Sequence, residues 1–103
     1  MGTFRDVAAL SDLPPGRSLE VSAAGTAVAL FNLGGTIRAV SAECTHAGGP
    51  LCEGDVEDGV VTCPWHAATF DLADGRALTR PATLGLESYP VRVVGGRIEV
   101  ELG

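Results

Sequence analysis

Residues 44–66 read CTHAGGPLCEGDVEDGVVTCPWH. Two short motifs bound this stretch, Cys44-Thr45-His46 and Cys63-Pro64-Trp65-His66, with 16 residues between His46 and Cys63. Together they hold both histidines and two of the three cysteines in a chain of 103 residues. A Cys-x-His or Cys-x-x-His pair on a turn lets a thiolate and an imidazole converge on one centre, and two such loops side by side offer four ligands. Taken singly, a buried cysteine is ordinarily a small hydrophobe and a lone histidine a structural or surface residue. The repeated order of all four is what argues for a metal centre. Tetrahedral zinc fits this donor set, and so does a diiron cluster with two thiolates on one iron and two imidazoles on the other. Structural zinc motifs more often pair like with like. A Cys-His catalytic pair is disfavoured, because residues two or three apart on a turn more readily share a metal than act as nucleophile and base. No glycine-rich phosphate-binding motif occurs.

Outward from this stretch the chain is punctuated by turn signals: Pro14-Pro15-Gly16, Gly25, Gly34-Gly35, Gly48-Gly49-Pro50, Asp58-Gly59, Asp74-Gly75 and Gly95-Gly96. Each separates short runs rich in valine, leucine or isoleucine, the signature of an all-β protein. The spacing predicts strands over residues 4–7, 18–21, 27–32, 37–41, 60–62, 69–72, 88–94 and 97–102. The last two alternate around Gly95-Gly96, with Tyr89, Val91 and Val93 facing Ile98, Val100 and Leu102 as one buried face. Val7, Leu10 and Leu13, three apart, predict one helical turn within residues 6–13. No repeat or linker divides the chain, so one domain over residues 1–103 is expected.

Composition excludes several classes of function. Apolar residues make up 46% and charged residues 19%, which is globular composition, and the length leaves no room for a multidomain enzyme. A net charge of -6 argues against nucleic acid and anionic membrane as partners and for basic protein surfaces. Residues 39–75 carry seven acids (Glu43, Glu53, Asp55, Glu57, Asp58, Asp71 and Asp74) and no arginine or lysine, so the excess lies in the segment that holds both motifs. Residues 21–37 are uncharged but interrupted by Asn32, Gly34 and Gly35, and read as strands and a turn rather than a membrane span. The first residues lack the basic and apolar regions of a secretory signal, so a cytoplasmic location is expected. An odd number of cysteines then argues for thiols used in metal binding or catalysis rather than a disulfide framework.

The run Cys44-Thr45-His46-Ala47-Gly48-Gly49-Pro50-Leu51, with Glu53-Gly54, Val61-Thr62-Cys63-Pro64-Trp65-His66, Phe70-Asp71, Arg80-Pro81-Ala82 and Tyr89-Pro90-Val91, resembles Rieske-type 2Fe-2S ferredoxins. The likeness is to those serving bacterial aromatic ring-hydroxylating dioxygenases. It implies an antiparallel β-sandwich or barrel with a small cluster-binding subdomain inserted at about residues 43–83. It also implies one 2Fe-2S cluster, with Cys44 and Cys63 on the inner iron and His46 and His66 on the outer. An arriving electron would localise on the histidine-bound iron, which lacks the charge the thiolates donate. Gly48 and Gly49 either let backbone amides approach the cluster sulfurs or serve only as turn residues. Trp65 either shields the cluster or belongs to the core, and the segment around Pro81 resembles a loop packed over the cluster.

Departures from the wider family carry information. Respiratory Rieske proteins have a disulfide between their two loops, whose positions correspond to Gly49 and Trp65, so no bridge is expected here. They also place serine and tyrosine hydroxyls beside the cluster, where this chain has Ala68 and Phe70. Without those donors the potential is expected within about 100 mV of the lower end of the Rieske range of roughly -150 to +300 mV. Cys52 has no ligand role and reads as a small, half-buried residue. The resemblance implies a soluble, monomeric one-electron carrier, not an enzyme, moving electrons from a flavin-dependent NAD(P)H reductase to a terminal oxygenase. The alternatives are a Rieske-like small subunit of a nitrite reductase-type system and a zinc-stabilised interaction module.

Overall fold

The described residues pair as ten strands, β1 (Thr3–Ala9), β2 (Ser18–Ala23), β3 (Thr26–Leu33), β4 (Thr36–Ser41), β5 (Asp55–Glu57), β6 (Val60–Thr62), β7 (Thr69–Asp71), β8 (Ser88–Tyr89), β9 (Val91–Val94) and β10 (Arg97–Leu102). This is a computed structural model, and it describes residues 3–43, 49–65, 68–79 and 85–102. Every pairing is antiparallel, in three sheets of order β1-β10-β9, β2-β3-β4-β8 and β5-β6-β7. The only helical elements among the described residues are two 3-10 turns, Leu10–Asp12 and Leu51–Glu53.

Four of the hairpins close through two residues, Ala24-Gly25, Gly34-Gly35, Asp58-Gly59 and Gly95-Gly96, and in each both residues have positive φ. That turn has the same twist as the flanking strands, which explains why glycine recurs at the second position.

The core is divided by β3 and β4. Val28 and Leu30 on β3 join Ile37 and Ala39 on β4, Ile98 and Val100 on β10, and Leu13 in one cluster. Ala29 and Phe31, the alternate residues of β3, point the opposite way. With Val40 and Ala42 they pack on Leu51, Val61, Cys63, Ala68, Phe70, Leu72 and Leu86 in a second cluster. The registers Leu30↔Ala39 and Ala29↔Val40 keep the two sets apart. Asn32, 5% exposed, ties the β3–β4 turn to the chain before β2: its Nδ2 donates to the Leu13 carbonyl at 2.8 Å and its Oδ1 accepts from the Gly35 amide at 2.7 Å.

The expected all-β architecture is present, with four local differences. β5 was not anticipated, because Asp55, Val56 and Glu57 are all exposed and so carry no burial alternation. The expected strand over residues 88–94 breaks at Pro90 into β8, which pairs with β4, and β9, which pairs with β10. Val93 is 44% exposed although Ile98 opposite it is fully buried, because β9 is an outer strand of its sheet and β10 the central one. The helical turn is confined to Leu10–Asp12, with Val7 already in β1.

Ala24 is exposed with φ of 52°, a left-handed conformation that a Cβ disfavours by roughly 1 kcal/mol. Asparagine tolerates that conformation and completes the Asn-Gly turn. Ala24→Asn is therefore expected to stabilise the fold by about 0.5–1 kcal/mol, read as a higher midpoint of urea unfolding at unchanged slope.

Candidate metal centre

Two loops leave the second core cluster, and each is pinned at its base. The first spans residues 44–49. Glu43 and Pro50 form an isolated antiparallel bridge across it, and the Leu51 amide donates to the Ala42 carbonyl at 3.0 Å. Ala42 and Leu51 are both buried, which anchors the loop in apolar packing. The second loop follows β6 and is closed by the Cys63 amide, which donates to the Ala68 carbonyl at 2.8 Å. Gly54 stands where a Cβ would overlap the Thr62 carbonyl, so the 3-10 turn carrying Leu51 can lie directly on β6.

Cys63 is 1% exposed and free. Gly49 lies directly against it: a Cβ built on Gly49 would sit 2.7 Å from Cys63 Sγ and 3.2–3.3 Å from ring atoms of Trp65. The end of the first loop therefore touches the start of the second, with bare backbone facing a buried sulfur. Gly49 thus makes a close backbone approach to the Cys63 sulfur. Trp65 is 58% exposed, so it is not a core residue. Cys44, His46, Gly48 and His66 lie outside the described residues, as do Arg80, Pro81 and Ala82. Among the described residues, no three His, Cys, Asp or Glu side chains form a metal-binding group.

Residues 77–79 run beside β7 toward the same end of the molecule. Phe70 bridges Ala77, the Leu78 amide donates to the Thr69 carbonyl at 2.8 Å, and the Thr69 amide donates to Thr79 Oγ1 at 3.1 Å. The Thr69 hydroxyl is 2.7 Å from that of Thr79, an exposed pairing. Ala68 and Phe70, fully buried beside Cys63, offer no hydroxyl to the site.

Cys52 is half-buried on the 3-10 turn, with its carbonyl accepting from the Ser18 hydroxyl. Partial burial, then the carboxylates of Glu20 and Glu53, push its thiol pKa up, which keeps it protonated and a poor metal ligand. The expectation of a small, half-buried residue holds.

The acids of residues 39–75 do not gather at the Cys63 end. Glu57 and Asp71 both lie opposite Val60, beside the Asp58-Gly59 turn, while Cys63 follows the other end of β6. Asp74 follows in the turn after β7, and the Asp71 carboxylate is 3.7 Å from Arg76. Glu43 is at the base of the first loop and Asp55 pairs with Thr62, so the charge runs the length of the small sheet. Grooves of about 540 and 700 Å³ are lined by Gly34 and Asp58 and by Leu13 and Gly35 respectively, and Cys63 lines neither.

A 2Fe-2S cluster suits what is described. Cys63 presents a buried, soft thiol that would bind iron as the thiolate, and Gly49 leaves room where any side chain would block the sulfur. Such a cluster, when bound, supplies reversible one-electron transfer. This chain contributes a thiol held in the core, a loop tied at both ends, and an apolar wall of Ala68 and Phe70.

The profile of the Rieske [2Fe-2S] domain matches residues 3–90. The chain is 43% identical over 94 residues to the 3-phenylpropionate/cinnamic acid dioxygenase ferredoxin subunit of Escherichia coli K12, covering 90% of this chain and 88% of that one. Among solved structures it is similar to a chain in the complex of reduced oxygenase and oxidized ferredoxin in carbazole 1,9a-dioxygenase, with a TM-score of 0.88 and 29% identity over 98% of this chain and 94% of that one. It is also similar to a Mycobacterium tuberculosis protein assigned as the small subunit of an NADH-dependent nitrite reductase, with a TM-score of 0.89 and 31% identity over 100% and 97% of the two chains. The dioxygenase relatives are ferredoxins, electron carriers rather than catalytic enzymes, and this chain is of that kind. It belongs to the Rieske [2Fe-2S] domain family, whose cofactor is one 2Fe-2S cluster.

Proposed function

We propose that the protein is the ferredoxin component of a bacterial aromatic ring-hydroxylating dioxygenase system. It takes one electron at a time from a flavin-dependent NAD(P)H reductase and passes it to a terminal oxygenase. The observation that carries this is the abutment of Gly49 on the buried Cys63 thiol, in a chain whose likeness to a dioxygenase ferredoxin spans nearly its whole length. In this reading Cys44 and Cys63 hold the inner iron, His46 and His66 the outer one. The chain forms one domain over residues 1–103, with the cluster-binding subdomain at about 43–83. It works as a monomer in the cytoplasm, meeting basic protein surfaces rather than nucleic acid or membrane. No helix among the described residues is long and apolar enough to cross a membrane.

A second reading, a nitrite reductase small subunit, is favoured by the similarity to the mycobacterial protein. Retention of two cysteines and two histidines at ligand spacing supports the carrier instead, because a subunit without electron transfer has no need of four ligands. Turnover reconstituted with a dioxygenase or with a nitrite reductase large subunit distinguishes the two.

The purified protein should be coloured and give a rhombic electron paramagnetic resonance signal when reduced. His46→Ala or His66→Ala should abolish or destabilise that signal, while Cys52→Ser leaves iron content and spectrum unchanged. An unaltered spectrum in the histidine variants contradicts the ligand assignment. With Ala68 and Phe70 at the positions of hydroxyl donors, potentiometric titration should give a midpoint within about 100 mV of roughly -150 mV, and a value above about +100 mV contradicts it. Association with the oxygenase should weaken as salt rises, since seven acids and no arginine or lysine occupy residues 39–75. Rates that stay flat across ionic strength contradict docking to a basic surface.

A further inference from the structure

We propose that Gly49 and Trp65 form a noncovalent clasp that holds the first loop against the second and keeps water from the Cys63 sulfur. The proposal rests on the reading that Cys63 is a cluster ligand.

The direction in which Gly49 lacks a Cβ faces both Cys63 Sγ, at 2.7 Å, and the Trp65 ring, at 3.2 and 3.3 Å. A separation of 2.7 Å is closer than a real Cβ and a sulfur can approach, so any residue but glycine must displace one of them. The sulfur cannot yield: Cys63 is 1% exposed, its amide is tied to Ala68, and as a ligand its position is set by iron. Gly49 is itself buried. The indole contributes to that cover, yet it remains 58% exposed. A large apolar side chain left so open, touching a buried glycine beside a buried thiol, has its packing role at this contact. Among the described residues, Cys63 is free of any disulfide, the Glu43–Pro50 bridge closes the first loop at its base, and the Cys63–Ala68 hydrogen bond closes the second.

The test uses the purified holoprotein and the variants Gly49→Ala, Trp65→Ala, Trp65→Phe and Gly49→Ala/Trp65→Ala. Three readouts apply: the rate at which visible absorbance is lost to a chelator, the midpoint potential, and acrylamide quenching of tryptophan fluorescence. Trp65 is the chain's single tryptophan, so its fluorescence reports the contact directly. Gly49→Ala and Trp65→Ala should each speed cluster loss about tenfold or more, the size of effect that residues supporting metal ligands have. Trp65→Phe should restore slow loss. The double variant should be no worse than the poorer single one, because both act through one contact. Trp65→Ala should raise the midpoint, since water near the cluster favours the more negative reduced state. Gly49→Ala should make Trp65 more accessible to acrylamide.

Wild-type rates and potential in Trp65→Ala overturn the clasp, as do effects of the two single changes that multiply in the double variant. If Gly49→Ala assembles no cluster, Trp65→Ala and Trp65→Phe decide, since truncating an exposed side chain leaves the fold in place. A wild-type protein without a Rieske signal overturns the cluster reading, and the clasp with it.

Discussion

Strand β3 is buried on both faces, and the rest of the molecule is arranged around that constraint. From Val28 to Asn32 no side chain reaches solvent, so successive residues must each find an apolar or hydrogen-bonded neighbour on opposite sides of the sheet. Val28 and Leu30 find the β10 side, Ala29 and Phe31 the small sheet. A slip of one residue would exchange the two sets and bring Phe31 into the space shaped for Leu30. The small three-stranded sheet, too short to bury a core alone, borrows the second face of β3 and β4 for its stability.

The metal centre inherits its rigidity from that packing. Ala42 and Leu51, the residues bracketing the first loop, and Cys63 and Ala68, which bracket the second, belong to the same buried cluster. Hydrogen bonds across each base then fix where the loops leave the core. A one-electron carrier gains from this arrangement, because a site that does not rearrange on changing charge adds little to the barrier for transfer.

What was legible before folding, and what was not, follows from which signals are local. The hairpin turns were legible because positive φ at two successive positions favours glycine, and Gly25, Gly34, Gly35, Gly59, Gly95 and Gly96 are where such turns fall. β3 and β4 were legible as apolar runs. β5 left no trace, since Asp55, Val56 and Glu57 are strand only by pairing with β6, an edge interaction that buries none of their side chains. Val93 misled for the converse reason: alternation marks a face, but whether that face is covered depends on which strand lies outermost. The acidic count was legible but its placement in space was not, because strand pairing puts Glu57 and Asp71 at one end of β6 and Cys63 beyond the other.

The sequence by itself determined the family and the all-β class, and it put forward Cys44, His46, Cys63 and His66 as candidate ligands, because cysteine and histidine at short spacing constrain chemistry whatever surrounds them. It also showed which hydroxyl donors are missing, at Ala68 and Phe70. Only the tertiary structure decided that Gly49 lies against Cys63 and Trp65, that Trp65 stands open to solvent, and that much of the acidic charge runs toward the turn remote from Cys63. Those facts depend on contacts between residues far apart in the chain. Such contacts arise from the register of paired strands and the sharing of β3 between two cores, which no local pattern encodes.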